Sequence, residues 1–250
     1  MTTNNSNNVL CDLSHLGLLE ISGADAVTFL QGQVTDDVKL LAGTNAHYTA
    51  YCNQKGRMLA LFLAFAHYDH LHLQLNRELL KPIMKRLKMY VMRSKVEIKD
   101  VSDSIIKFGL NGPQASSMLA LFFSTIPNQD YELVTLDNGA ILKLPSVNDD
   151  GRFEVFTDAI NAPLVWNALK NNCNVVEKPY WDWLEIQAGM PEVSLATQEG
   201  NIWLITQLRF GFVGENAKIA RRKKLGLIFF IAVLVRCVDE KCACKIPTDV

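Results

Sequence analysis

A nearly continuous apolar run, Met58 to Ala66, constrains the fold of this chain more than any other stretch. Its length suits a strand, and a strand without regular polar positions is typical of one buried on both faces. A strand of that kind lies in the interior of a layered structure, with other elements packed above and below it. The run therefore predicts an internal strand.

The segments on either side of this run extend the pattern. A polar turn, Asn53 to Arg57, precedes it, and Gly56 within the turn is free to adopt positive φ. His70 to Leu75 alternates strictly between polar residues and leucines, which is typical of a strand. Arg77 to Arg93 then repeats apolar residues every three or four positions and predicts an amphipathic helix.

The remaining segments also alternate between strands and helices. Asp137-Asn138-Gly139 is a strong hairpin signal. The order of elements predicts an α+β fold, built as lobes of antiparallel sheet with helices on one face. Predicted strands cover 9–13, 18–21, 47–52, 96–98, 105–110, 131–135, 140–144 and 152–157, and further predicted helices cover 113–123, 163–170 and 180–189.

Composition narrows the class of protein. A chain of 250 residues, 49% hydrophobic and 20% charged, has ample length for a globular core. A net charge of −1 argues against bulk nucleic-acid binding. Residues 1–8 are polar, lack the features of a signal peptide, and are predicted to fray. Six unevenly scattered cysteines do not resemble a disulfide framework, so we expect a cytoplasmic protein.

Common catalytic and ligand-binding motifs are absent from the sequence, including a P-loop, a G-x-G-x-x-G run and an H-E-x-x-H pair. His70 and His72 share a strand face and could bind one metal ion together, but a solvated strand face is the favoured interpretation. Trp181, in a predicted helix, is favoured as a core residue. Alternatively, its ring stacks on a planar ligand such as a pterin.

The stretch from Leu18 to Lys39 combines a strand end with a helix that presents polar groups. Ser22 is the predicted N-cap of this helix. Gln31, Gln33, Asp36 and Asp37 follow on its polar side and just beyond it. On physical grounds alone, this stretch is a surface helix with a polar face.

Four segments, in this order and spacing, resemble the folate-binding YgfZ family, whose members are related to the glycine-cleavage T-protein, an aminomethyltransferase. Each motif is weak by itself, but the ordered set is specific, and the resemblance covers about residues 9–199. The segments are Ile21–Val38, Cys52–Met58, Leu87–Val96 and Ile186–Pro191.

The resemblance implies lobes arranged around a central cavity that holds tetrahydrofolate. It also implies a role in assembling or maintaining iron–sulfur proteins, including radical enzymes that thiolate tRNA. The expected partners are therefore folate and iron–sulfur client proteins. We expect no direct contact with nucleic acid, no membrane span and a monomer.

Site residues are transferred from the family only where the motifs match. Trp181 matches a tryptophan at the folate pocket, whereas Leu16 stands where some members have a second one. Lys55 and Arg57 lie in a cationic turn that would suit the glutamate tail of a folate. Gln33 and Asp36 become candidate cavity-lining groups. No catalytic residue and no metal ligand is predicted.

Two other functions remain open. The first is a folate-dependent one-carbon transferase like the T-protein. T-proteins have a G-G-I-x-D-D run at this point, whose aspartate works at the folate nitrogen, whereas this chain has Lys55-Gly56-Arg57 and no acid there. That difference argues against aminomethyl transfer. The second is a non-functional remnant that still binds folate weakly.

The resemblance ends abruptly after Glu199. Residues 200–250 have nine Lys/Arg and four Asp/Glu, a charge of +5, so residues 1–199 have −6. The family's Lys-Gly-Cys signature and its terminal barrel domain are missing from this stretch. We therefore expect a frayed segment at 1–8, a folate-binding module of two lobes at 9–199, and a tail at 200–250 that arose from a reading-frame change or by divergence.

Two features of this tail are candidate sites. Leu225 to Val235 is an apolar run of eleven residues, shorter than the roughly 20 residues that a membrane-spanning helix needs. A buried strand is the favoured interpretation, and a membrane-surface anchor is the alternative. Cys237, Cys242 and Cys244 lie close in sequence but match no zinc or iron–sulfur spacing.

Overall fold

The computed structural model describes residues 7–137 and 139–198. These residues lie in one compact unit of strands, α-helices and one short 3-10 helix. The strands are β1 (Val9–Asp12), β2 (Leu16–Ser22), β3 (Ala46–Cys52), β4 (Met58–His67), β5 (His70–Asn76), β6 (Glu97–Asp100), β7 (Ile105–Gly112), β8 (Leu133–Leu136), β9 (Gly139–Val147), β10 (Asp150–Asp158) and β11 (Asn174–Val176). The helices are α1 (Ala26–Gln31), α2 (Arg77–Val91), α3 (Ala115–Leu119), α4 (Ala162–Lys170) and α5 (Lys178–Gln187), with the 3-10 turn at Val38–Leu40.

The strands form two sheets. Sheet A has six strands in the order β11-β1-β7-β10-β9-β8, and sheet B has five in the order β3-β4-β5-β2-β6. Every pairing is antiparallel except that of β1 with β11. The predicted α+β fold of antiparallel sheets with helices is therefore confirmed. Strand β1 crosses to sheet A, although the strands that follow it build sheet B.

Strand β4 shows why the apolar run was the decisive sequence feature. Leu63 and Phe65 point into a core between the two sheets, where they meet Leu142 and Phe156 of sheet A. Phe62 points the other way and is also fully buried. Helix α2 covers that outer face of sheet B. Both faces of β4 are therefore buried, as predicted.

A second core lies on the opposite side of sheet A. Phe108 and Val155 of the sheet pack there against Met118 of α3 and Val165 and Leu169 of α4. Sheet A therefore separates two apolar layers. Its strands present alternate residues to the inter-sheet space and to the helices, and this alternation places the side chains of the site described below.

The predicted N-cap of the first helix is wrong. Ser22 is the last residue of β2, where it pairs with Glu97 of β6. The chain then turns through Gly23, whose φ of 109° favours glycine, and α1 begins after Asp25. The Asp25 carboxylate does not cap the helix, because it accepts a hydrogen bond of 2.7 Å from the Lys95 backbone N–H.

Two further expectations from the sequence need correction. His72 does not lie on a solvated strand face, because sheet A covers that face and leaves the residue 2% exposed. Asn8 is not frayed: it is 1% exposed, and its Oδ1 accepts a hydrogen bond of 3.0 Å from the Gln114 backbone N–H. In both cases tertiary packing buries a residue whose polarity suggested exposure.

The predictions for residues 200–250, including the reading-frame change, the apolar strand and the missing barrel domain, lie outside the described residues. Within the described part of the chain, no helix combines the length and the apolar character that crossing a bilayer requires. Among the same residues, no set of three or more His, Cys, Asp or Glu side chains is arranged to hold a metal ion.

Candidate functional site

Buried polar and charged side chains gather between the two sheets, where an apolar core is the usual arrangement. We call this group the central cluster. Its buried members are Gln74 of β5, Lys107 and Asn111 of β7, Arg152 and Glu154 of β10 and Trp181 of α5, and the half-buried Glu185 of α5 joins them. Charged side chains are buried this completely only when partners compensate for lost hydration, so the cluster is a candidate site.

The alternation of β10 places two charges in the inter-sheet space. Phe153 and Val155 belong to the core beneath α3 and α4. Arg152 and Glu154, at alternate positions, therefore point toward sheet B, where they are 0% and 1% exposed. Strand geometry and the demands of the second core thus fix where these two charges lie.

Helix α5 supplies the partners of Arg152. Trp181 and Glu185 are one helical turn apart and share a face. The Arg152 guanidinium forms an ion pair with the Glu185 carboxylate, and its carbon lies 4.8 Å from the centre of the Trp181 ring. Its second terminal nitrogen donates to the Met190 Sδ at 3.1 Å. The guanidinium is therefore held by charge, ring contact and sulfur together.

Trp181 packs tightly within this cluster. The ring is 1% exposed, and its edge lies against Gly109 of β7, where a Cβ atom would overlap it. The prediction that Trp181 is a core residue is therefore confirmed. The Arg152 guanidinium lies over this ring, and the stacking of a planar ligand on it stays a prediction.

Glu154 joins the two sheets and has a perturbed acidity. Its carboxylate accepts a hydrogen bond of 2.8 Å from the Gln74 amide of sheet B. Burial, and then the nearby Glu185 charge, raise the pKa of Glu154 from 4.5 to about 7. Burial likewise lowers the pKa of Lys107 from 10.5 to about 8. Two groups of the cluster therefore change charge near neutral pH.

Several polar atoms of the cluster have no hydrogen-bond partner among the described residues. They are Gln74 Oε1, Asn111 Oδ1, Arg152 Nε and Trp181 Nε1. Burial raises the pKa of Glu185, and Arg152 and the nearby Trp181 indole N–H oppose this rise, but the indole N–H makes no hydrogen bond of acceptable geometry. Buried polar groups are rarely left unpaired, so two acceptors and two donors are available here to a ligand or to water.

Lys55 and Arg57 lie apart from the cluster, on an exposed turn between β3 and β4. Their backbone N–H groups both donate to the Asn53 Oδ1, at 2.9 and 3.1 Å, which fixes the turn. The strand register places this turn at the end of sheet B where β5 finishes at Asn76. Gln74 of the cluster is near the same end.

Gln33 and Asp36 lie on the other side of sheet B. The Asp36 backbone N–H donates to Thr49 Oγ1 at 3.1 Å, and Thr49 pairs with Phe62, on the face turned away from sheet A. Gln33 belongs to the same connection between α1 and β3. The structure therefore separates Asp36 from Trp181 by the thickness of a sheet. The role of Gln33 and Asp36 in folate binding stays a prediction.

Of the central cluster, only Trp181 was predicted from the sequence; Gln74, Lys107, Asn111, Arg152, Glu154 and Glu185 were not. In a strand with a buried face, alternating charges are ordinarily interpreted as the solvent side. The signal was on α5, where Glu185 is a carboxylate one turn from Trp181 on an otherwise apolar stripe. A buried carboxylate of that kind needs a cation, and Arg152 meets that need.

Comparison with known proteins agrees with this architecture. The profile of the GCVT N-terminal domain family matches residues 2–177. The tRNA-modifying protein YgfZ of Yersinia pestis (strain Pestoides F) is 30% identical over 227 residues, an alignment that covers 87% of this chain and 67% of that protein. The chain belongs to the GCVT/YgfZ family. The resemblance found in the sequence motifs is therefore confirmed.

Other members of the GCVT/YgfZ family give the same result. The YgfZ protein of Yersinia enterocolitica is 31% identical over 228 residues, with 67% of its length covered. Among solved structures, the aminomethyltransferase T of the Bartonella henselae glycine cleavage system matches with a TM-score of 0.63. The sequence identity there is 19%, over 75% of this chain and 53% of that chain, so this match concerns the fold.

Proposed function

We propose that this protein binds a reduced folate at the central cluster and serves as an accessory protein for the assembly or maintenance of iron–sulfur proteins, including enzymes that thiolate tRNA. Membership of the GCVT/YgfZ family supports the proposal, as does the name of the YgfZ relatives as tRNA-modifying proteins. The single observation that supports folate binding best is the set of unpaired buried donors and acceptors around Trp181.

The chemistry of the cluster suits a pterin ring. A pterin is flat, with N–H donors and ring acceptors along its edges. Gln74 Oε1 and Asn111 Oδ1 can accept from such donors, and Arg152 Nε and Trp181 Nε1 can donate to such acceptors. Glu185, whose side chain is 21% exposed, is the charged group of the cluster that solvent can reach.

In this proposal the residues of the chain bind and orient the ligand. Glu154, held by Gln74, offers a carboxyl whose proton is exchangeable near neutral pH. A bound tetrahydrofolate supplies secondary amines that can hold one-carbon groups. The exposed Lys55 and Arg57 are proposed to bind the glutamate tail by charge-assisted hydrogen bonds.

Calorimetric titration with 5-formyltetrahydrofolate tests the binding site. We expect saturable binding by the wild-type protein, and a dissociation constant raised about tenfold or more in Glu185→Gln, which removes the charge but keeps the shape. Glu177→Gln is the matched control, because Glu177 is exposed at the start of the same helix and makes no capping hydrogen bond. A wild-type protein that melts cooperatively yet binds no folate contradicts the proposal.

The glutamate tail has its own test. Lys55→Ala combined with Arg57→Ala is expected to weaken a folate with several glutamates and to leave tetrahydropterin, which has no tail, unaffected. If the double variant bound both ligands equally more weakly, Lys55 and Arg57 would not act on the glutamate tail.

The cellular role is tested by complementation. We expect the gene to restore tRNA thiolation in a bacterial strain that lacks its YgfZ relative, and Glu185→Gln to restore less. If the protein binds folate but does not complement the strain, the result favours a non-functional remnant that has kept only folate binding. Turnover of an aminomethylated carrier protein by the purified chain would instead favour the one-carbon transferase.

A further inference from the structure

A second site is suggested by a cavity of about 190 Å³ between the two sheets. Along β10, Arg152 and Glu154 belong to the central cluster, and the cavity begins at Phe156, the next residue on the same face. His72 stands in the same relation to Gln74 on β5. Trp181, Arg152 and Glu185 do not line this cavity, so it is separate from the proposed folate site.

Aromatic rings form much of its wall. Phe65 and His72 are stacked, with ring centres 5.2 Å apart and planes within 9° of each other. Phe156, from the opposite sheet, lies 4.9 Å from Phe65. Leu18, Ile105 and Ala140 add to the apolar surface. Flat rings from both sheets favour a flat apolar occupant.

Two neutral imidazoles provide the polar part of the wall. Burial lowers the pKa of His72 to about 4, so one of its ring nitrogens has a lone pair. Its Nε2 is 3.8 Å from the Glu20 carboxylate, and its buried Nδ1 makes no hydrogen bond within the described residues. His67 donates through Nε2 to the Gly139 carbonyl at 3.0 Å, which leaves its Nδ1 as an acceptor.

Charge around the cavity selects against ions. Glu20 faces His72, and Asp137 and Asp158 line the cavity, so an anion is repelled. The Asp158 carboxylate already accepts hydrogen bonds from Ile160 and Asn161. Asp137 is an exposed residue, so a cation deep in the cavity would lose its hydration against apolar side chains.

We propose that this cavity binds a small uncharged aromatic molecule of one ring with a single O–H or N–H donor. Its volume is suitable, because an apolar cavity of roughly 150 Å³ holds benzene. The rings of Phe65 and Phe156 contact the ligand ring, and the lone pair of His72 accepts its donor hydrogen.

Phenol and toluene are the probes, since they have the same size and differ by one donor. Ligand-observed NMR and calorimetry on the full chain should show that phenol binds with a dissociation constant of about 1 mM and toluene about tenfold more weakly. His72→Phe keeps the stack on Phe65 but removes the acceptor, so we expect the preference to reverse in favour of toluene.

A filling substitution provides an independent test. Ala140 lines the cavity and is 1% exposed. The substitution Ala140→Met fills the cavity, so we expect it to abolish binding of both probes. Ala120→Met, at an exposed position, is the matched control and should bind phenol normally. Each variant is first shown to melt cooperatively.

Three results would overturn the proposal. One is a folded wild-type protein that binds neither probe, which leaves only water in the cavity. Another is phenol binding that survives both His72→Phe and Ala140→Met. The third is competition between phenol and 5-formyltetrahydrofolate, which would make the two sites one. If Glu185→Gln loses folate binding but still binds phenol, the two sites are independent, and failure of one proposal does not imply failure of the other.

Discussion

At the residue scale, Glu154 ties the stability of the fold to pH. Its pKa in the folded protein, about 7, lies above the ordinary value of 4.5. A raised carboxyl pKa contributes stability that is fully present below pH 4.5 and is lost as the pH rises toward 7. Across that window, we expect the titration of Glu154 to lower the free energy of unfolding of the wild type by about 3 kcal/mol, and we expect no such fall in Glu154→Gln.

The measurement is the difference in free energy of urea unfolding between wild type and Glu154→Gln, from pH 4 to 8. The difference is required because His72 acts in the opposite direction over part of the same range: its lowered pKa loses stability as the pH falls from 6.5 toward 4. A difference that stays constant with pH would show that Glu154 titrates normally.

Arg152 is expected to be the most sensitive charged residue of the cluster. Arg152→Met leaves the half-buried Glu185 carboxylate without its cation and removes the guanidinium from the Trp181 ring, so we expect a cost of about 2–3 kcal/mol. Arg77→Met is the matched control, because Arg77 pairs with the exposed Asp103 and its loss should cost less than about 1 kcal/mol. If Arg152→Met and Arg77→Met lower the free energy of urea unfolding equally, the pair of Arg152 and Glu185 is effectively hydrated.

At the element scale, the contact of α5 with β7 decides the position of Trp181. Gly109 lets the indole edge approach the strand backbone. Gly109→Ala places a methyl group where the ring lies, so we expect a loss of about 1–3 kcal/mol and a change in near-ultraviolet circular dichroism. Gly32→Ala is the control, because nothing lies closer than 3.5 Å to its added Cβ. An unchanged Gly109→Ala spectrum would show that α5 can shift freely.

Loops near α5 set its position against sheet B as well. The Asn76 amide donates to Glu192 at 2.6 Å, just after the helix, and Gln198 donates to the Leu59 carbonyl at 2.8 Å. These contacts join the end of the described chain to the edge of the inter-sheet space. The segment that follows α5 is therefore held against strands β4 and β5 of sheet B.

At the scale of the whole molecule, the two sheets meet through both apolar packing and the Gln74 to Glu154 hydrogen bond. A ligand bound between them should therefore stabilise the entire unit. At a concentration of 5-formyltetrahydrofolate 100 times its dissociation constant, we expect about 2.7 kcal/mol of added stability. Differential scanning fluorimetry measures the shift in melting temperature, and an equal shift in Glu185→Gln would place the ligand outside the cluster.

Much of the fold followed from sequence because it depends on local pattern. The apolar run of β4, the alternation of β5 and the stripe of α2 each lie within a dozen or so residues, and each element was found near its predicted place. The short α3, at Ala115–Leu119, was predicted too long, because the chain beyond it tightens into turns: the N–H groups of Leu121 and Phe122 donate to carbonyls three residues back. Ordered motifs were enough to establish the family.

Only the tertiary structure decided which face of each sheet is buried and which polar groups meet there. Sheet A covers His72, and β10 turns Arg152 and Glu154 inward toward Gln74 and α5. The same packing puts Asp36 across sheet B from Trp181. These are contacts between residues far apart in the chain. The alternation of residues along a strand shows that the strand has two faces, but the packing of the second sheet determines which face is exposed to water.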